Sequence, residues 1–168
     1  MGDPQTHQFF RTFDKIQNVW KGMATALRLP FHLRNMYSNM FQAYLSGVKN
    51  PKRFLTASDI QLSFLTKHNE DIQLGEKVYK AGELRTMIEE LGIRGKGWLA
   101  GDIQKPMMEE LDSILRWGKM KKLNPAQLPR EFGSVIEDNA RIAVFVDQLA
   151  KGKTPKEAQQ TVRKYLFD

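Results

Sequence analysis

The chain has 168 residues and no cysteine, which removes disulfides, thiolate nucleophiles and Cys-based zinc sites together. No apolar run approaches the ~20 residues that span a bilayer, and the N-terminal Met1-Gly2-Asp3-Pro4-Gln5 lacks the charged-then-apolar pattern of a secretion signal. The net charge of +7 is uneven: residues 1–57 hold eight basic and two acidic residues, the remainder 18 and 17, and nine of the seventeen aromatics also fall in 1–57.

In chain order, Phe9, Phe13, Ile16, Trp20, Met23, Ala24 and Leu27 recur at spacings of three and four. They predict an amphipathic helix from about Gln8 to Leu29, with Arg11 and Lys15 opposite the apolar stripe. Pro30 ends or kinks it. A second helix is expected from about Phe31 to Ser46. Its wide apolar face (Met36, Tyr37, Met40, Phe41, Tyr44 and Leu45) predicts burial of most of that surface. Gly47 is placed to end it, and Asn50-Pro51 marks a turn.

Ser58 or Asp59 is expected to cap a short helix through Ile60, Phe64 and Leu65 that ends near His68-Asn69. Ile72, Leu74, Val78 and Tyr79 around Gly75-Glu76 predict a small β-hairpin. Glu83–Leu91 reads as a helix with Leu84, Met87, Ile88 and Leu91 inward, closed by Gly92. A glycine-rich loop follows to Gly101. The next helix, capped by Asp102 or a residue up to Lys105, carries Pro106, Met108, Leu111, Ile114, Leu115 and Gly118, with Lys119, Lys121 and Lys122 beyond it matching the helix dipole. Asn124-Pro125 and Leu128-Pro129 form a connector.

The strongest pattern is the last. Ile142, Phe145, Val146 and Leu149, with Ile136 and Ala140, mark one face of a helix. Gly152 ends it, and Thr154-Pro155-Lys156-Glu157 restarts the chain as a capping box with proline at the first helical position. Ala158, Val162, Tyr165 and Leu166 form a second stripe, so an αα-hairpin is expected. The predicted fold is one mainly α domain, 1–168. It is a bundle of six to seven helices with at most one β-hairpin, divided into a basic aromatic-rich part (1–57), a mixed middle (58–128) and the αα-hairpin (129–168).

Each candidate for chemistry has a plainer counterpart. Arg94, Gly95, Lys96 and Gly97 have the composition of a phosphate cradle. The spacing matches neither the dinucleotide fingerprint nor the P-loop, so a turn-forming loop is the favoured reading. His7, His32 and His68 lack a second ligand at helical spacing, and no metal or cofactor is expected. Glu89-Glu90, Glu109-Glu110 and Glu137-Asp138 are adjacent pairs, whose members point in different directions. They are assigned to solvated helix faces rather than to an acid/base dyad. No serine or threonine sits in a nucleophile elbow, and an enzyme is disfavoured. Glu137 and Arg141 are spaced to pair across a turn.

The basic front end has three readings: core, nucleic-acid contact through its cations, or contact with a membrane surface or a partner protein. Arg11, Lys15, Lys21 and Arg28 are the surface candidates. Arg34, Asn35, Glu137 and Arg141 are the candidates for a polar network between helices.

Three stretches also resemble a known group. They are Leu29-Pro30-Phe31-His32-Leu33-Arg34-Asn35, the segment Tyr79-Lys80-Ala81-Gly82-Glu83-Leu84-Arg85 with the glycine-rich turn to Asp102, and the hairpin from Glu137 through Gly152-Lys153-Thr154-Pro155 to Asp168. The group is the large polyvalent protein-associated domains of bacteriophages, and the likeness spans most of the chain. It implies a non-catalytic helical module of a long phage polypeptide, carried in the virion or delivered into the host with the genome, and acting by contact with phage or host proteins. The family pattern continues into further helices past the position of Asp168. Two expectations follow, a fragment of a longer polypeptide or a short relative with another use, such as an inhibitor of a host defence protein. The main alternative to the phage module is a basic nucleic-acid-binding protein.

Overall fold

The computed structural model describes the backbone of residues 4–26, 31–95, 101–118 and 132–166, and the side chains of 6–18, 34–95, 105–118 and 132–166. Over these residues the order is α1 (Pro4–Ala26), α2 (Phe31–Leu45), α3 (Lys52–Thr66), β1 (Asp71–Leu74), β2 (Lys77–Lys80), α4 (Ala81–Glu90), α5 (Gly101–Trp117), α6 (Phe132–Ala150) and α7 (Pro155–Leu166). The mainly α architecture with a single small hairpin is as expected.

Helix α6 is the axis of the bundle. It packs against α2, α3, α5, α7 and β1. The single inward face expected from its stripe is an underestimate, because only Ser134 and Glu137 are exposed, and Arg141 and Ala150 are half-buried. Everything else on α6, including Asp138, Asn139, Asp147 and Gln148, is buried. A helix buried nearly all round is one enclosed by its neighbours on every side. Its polar positions are then tied to those neighbours. Asn139 Nδ2 donates to the Phe54 carbonyl at 3.1 Å and to Gln61 Oε1 at 3.0 Å, while Gln61 Nε2 donates to the Val135 carbonyl at 3.0 Å. Buried amides are retained only when satisfied in this way, and these three bonds fix α3 against α6.

The turn into α7 follows its sequence closely. Gly152 is left-handed at φ +84°. The Thr154 amide donates to Glu157 Oε2 at 2.8 Å, and the Glu157 amide donates back to Thr154 Oγ1 at 3.4 Å. The Thr154 amide, joined by the Thr154 hydroxyl donating to the same Oε2 at 2.8 Å, holds the Glu157 carboxylate below its ordinary range. Helix α7 buries Ala158 and Val162 against α6.

The hairpin pairs Asp71 with Lys80 through Leu74 with Lys77. Gly75 at φ +64° makes the turn possible. Only Leu74 of the hairpin is buried, so it leans on α6 and α4 for support. The chain enters α4 through Asn69 Oδ1, which accepts from the Gly82 amide at 2.7 Å, and Arg85, which donates to the His68 carbonyl at 2.7 Å.

Two expectations are corrected. Helix α3 starts seven residues before Asp59: Pro51 sits at its N-cap, and Asn50 Oδ1 accepts from the Lys52 amide at 3.0 Å. Ser58 is an interior helix residue bonded to Asp112 at 3.2 Å, not a cap. On α2, Met36 and Met40 are buried as expected and Tyr44 is half-buried, but Tyr37, Phe41 and Leu45 are exposed, and Ala43 is buried in their place. Helix α5 stops at Trp117, with Gly118 beyond it as the left-handed residue at φ +63°.

Candidate functional site

Helices α1, α3 and α5 converge on an open groove of about 470 Å3. Its walls are Gln8, Arg11, Thr12 and Lys15 of α1, Pro51 with Lys52 and Leu55 at the start of α3, and Leu115, Arg116 and Trp117 at the end of α5. Each contribution has a local cause. Phe9 and Ile16 are buried, and positions 8, 11, 12 and 15 therefore form the other side of α1, one helical face at spacings of three and four. Pro51 starts α3 without losing an amide that the helix needs, and α3 has no acidic residue in its first turn. Gly118 ends α5 just past Trp117, which is left 64% exposed.

The electrostatics of the groove are one-sided. Among the described residues, four cations and no carboxylate line it. Arg116 is matched by its own helix and by α3, with Nε 2.9 Å from Asp112 Oδ1 and Nη2 2.9 Å from Asp59 Oδ1. Burial opposes its charge, but these two carboxylates more than compensate, and its pKa is raised. Arg11, Lys15 and Lys52 are exposed and form no ion pair among the described residues. Of the four surface candidates named from the sequence, Arg11 and Lys15 thus share one groove. The side chain of Lys21 and the whole of Arg28 lie outside the described residues. Lys52, Arg116 and Trp117 were missed. They come from segments far along the chain, and only the packing of α3 and α5 on α1 brings them together.

The expected polar network exists in part. Arg141 Nη2 is 3.5 Å from Glu137 Oε2, but Arg34 is exposed on α2 and Asn35 half-buried there, and neither joins it. The centre of the network is Asp138, which reading Glu137-Asp138 as a solvated pair did not single out. Its Oδ1 accepts from the Gly95 amide at 2.8 Å and lies 3.6 Å from Arg141 Nη1, while Oδ2 lies 3.7 Å from Arg94 Nε. The Arg94 guanidinium also stacks 4.2 Å over the Phe64 ring. Burial raises the Asp138 pKa against the opposing pull of the Gly95 amide and the two guanidinia, and burial likewise lowers that of Arg94. Desolvation outweighs attraction in this pair.

This arrangement bears on the described start of the glycine-rich loop, whose favoured reading is a turn. Arg94 and Gly95 do bind an anion, but it is the chain's own Asp138 carboxylate, and their role is to lock the end of α4 to α6. Lys96 and Gly97 lie outside the described residues. Glu110 repeats the lesson of Asp138, since it is fully buried while its neighbour Glu109 is not.

A second surface is apolar. Phe10, Tyr37, Phe41 and Leu45 are each at least 40% exposed, and the aromatic rings of α1 and α2 form a continuous cluster in which Phe13 meets Tyr37 at 4.5 Å and Phe10 meets Tyr44 at 5.8 Å. No helix among the described residues is long and apolar enough to cross a membrane. Comparison with protein-family models, curated proteins and solved structures finds no match.

Proposed function

We propose that the protein is a non-enzymatic binding module whose working surface is the groove between α1, α3 and α5, and that the groove takes a nucleic-acid backbone. One observation carries this reading. Arg11, Lys15, Lys52 and Arg116 line a single concavity to which the described residues contribute no carboxylate, and the first three have no ion-pair partner among the described residues. Cations left unmatched beside one another raise the local potential and attract a polyanion, releasing its counterions on contact. The likeness to bacteriophage large polyvalent protein-associated domains supplies the setting: a structural or delivered module of a phage or prophage polypeptide, carried in the virion and then inside the host.

Contact with a phage or host protein is the second reading, including inhibition of a host defence protein. The exposed ring surface of Phe10, Tyr37 and Phe41 favours it, since apolar patches of this kind mark contact sites.

The groove is tested by fluorescence anisotropy with labelled DNA at low salt, comparing the wild type with Arg11→Gln/Lys15→Gln/Lys52→Gln. The three side chains are exposed, so the variant is expected to fold, as far-UV circular dichroism would verify. Its affinity is expected to fall at least about tenfold. Equal affinity in the two proteins would place DNA contact elsewhere and remove the groove from the proposal.

A further inference from the structure

On the reading that the groove takes a nucleic-acid backbone, its four cations divide into two kinds. Arg11, Lys15 and Lys52 are exposed, and no ion pair among the described residues fixes their heads. Arg116 is held. Its Nε donates to both oxygens of Asp112, at 2.9 and 3.0 Å, and its Nη2 donates to Asp59 Oδ1 at 2.9 Å. We propose that Arg116 is the fixed phosphate contact of the groove, and that Asp112 and Asp59 are positioning residues that aim its guanidinium at one backbone phosphate.

The placement of the three side chains separates front from back. Arg116 lines the groove, whereas Asp59 and Asp112 are not part of its wall. The carboxylates occupy Nε and Nη2, and Nη1 has no partner among the described residues. Its two N–H groups are left to meet an oxygen. The clamp is itself anchored, because the Ser58 hydroxyl donates to Asp112 Oδ1 at 3.2 Å and Ser58 is only 1% exposed. A line of contacts thus runs from the bundle interior through Asp112 to the groove, as a supporting shell holds a binding group in one orientation. Asp59 comes from α3 and Asp112 from α5, so the guanidinium is gripped from two helices. A guanidinium fixed in this way has less freedom to lose on meeting a phosphate than a free lysine has. Stability alone is a weak reason for the clamp. The Arg116 side chain is 37% exposed and that of Asp59 55%, and ion pairs this open contribute little.

The charges of the clamp give the test its sign. By charge alone, removing either carboxylate should tighten binding of a polyanion by about twofold. If the carboxylates position Arg116, removing either should weaken it. Anisotropy with labelled DNA at one low salt concentration measures this, with far-UV circular dichroism verifying each fold. Arg116→Lys is expected to lower affinity at least about fivefold although the charge is kept, with the slope of log affinity against log salt unchanged. Asp112→Ala is expected to lower affinity at least about threefold in the wild type. In the Arg116→Ala background the same substitution is expected to raise it, since only the charge effect is left. Asp59→Ala, at the more exposed carboxylate, gives an independent second reading with the same expected loss. Equal or tighter binding by the folded aspartate variants, full affinity in Arg116→Lys, or an equal loss from Asp112→Ala in the Arg116→Ala background would overturn the positioning role and leave the cationic groove standing. Absence of DNA binding by the wild type would overturn both.

Discussion

Asp138→Ala is expected to destabilise the protein by about 3–5 kcal/mol, a large fraction of the stability of a domain this size. The carboxylate is shared by the Gly95 amide, Arg94 and Arg141, and the side chain of Arg94 is only 6% exposed. Removing Asp138 takes the nearest negative charge from a guanidinium that is largely shielded from water. The pair itself is not strongly stabilising, since burial raises the Asp138 pKa and lowers that of Arg94. Arg94→Met/Asp138→Ala is therefore expected to recover most of the loss, with a large coupling term in the cycle formed with the wild type, Arg94→Met and Asp138→Ala. Urea unfolding of the four proteins measures it, and additive losses would show that the two groups act independently.

The same pair gives a pH signature. A raised folded-state pKa means that Asp138 holds its proton to higher pH in the fold than in the unfolded chain. Its contribution is fully present below the ordinary aspartate value and is lost as pH rises through the folded value. Relative to Asp138→Asn, the wild type is expected to lose stability across the window just above the ordinary carboxylate range. Burial also raises the Asp59 pKa, and the amide bond from Thr154 lowers that of Glu157, which has the opposite sign. Both cancel in this comparison. A stability difference that grew with pH would mean that the amide and the two guanidinia outweigh desolvation.

Gly75→Ala is expected to have the second large effect. At φ +64°, an added Cβ would sit 2.2 Å from the carbonyl oxygen of Ala150, a backbone atom at the end of α6. Gly92 is the matched control: its φ is +60°, and nothing lies within 4 Å of its added Cβ. Gly92→Ala should cost only the left-handed backbone, about 1–2 kcal/mol. Gly75→Ala should cost that plus about 1–3 kcal/mol for pushing the hairpin away from α6. Thermal or urea unfolding of the two variants decides it, and equal losses would mean that the turn does not press on α6.

The course of the chain was legible where local chemistry decides it. Gly152 with Thr154-Pro155-Glu157 dictates the α6–α7 turn, and Gly75-Glu76 between short apolar runs dictates the hairpin, because caps and turns are built from neighbouring residues. Burial was legible only in part. Tyr37, Phe41 and Leu45 share the apolar character of Met36 and Met40, and what separates the two sets is which side of α2 the remaining helices cover. Asp138 and Glu137 look alike in sequence, yet one helical step of 100° carries the first into the bundle and leaves the second in water. Asn50-Pro51 reads as a turn and Ser58 as a cap, so the first turns of α3 were hidden despite Phe54 and Ala57 in the buried core. The groove was half legible. Arg11 and Lys15 stood out by charge opposite an apolar stripe, whereas Lys52, Arg116 and Trp117 acquire their meaning only from tertiary packing.

The salt dependence of nucleic-acid affinity tests the role of the groove most directly. For a single strand, log affinity should fall linearly with log salt, with a slope of about −0.7 for each phosphate neutralised. Removing Arg11, Lys15 and Lys52 should make that slope shallower by about 2. A steep wild-type slope that flattens by this amount in Arg11→Gln/Lys15→Gln/Lys52→Gln is the expected result. A slope that the three substitutions leave unchanged would contradict it.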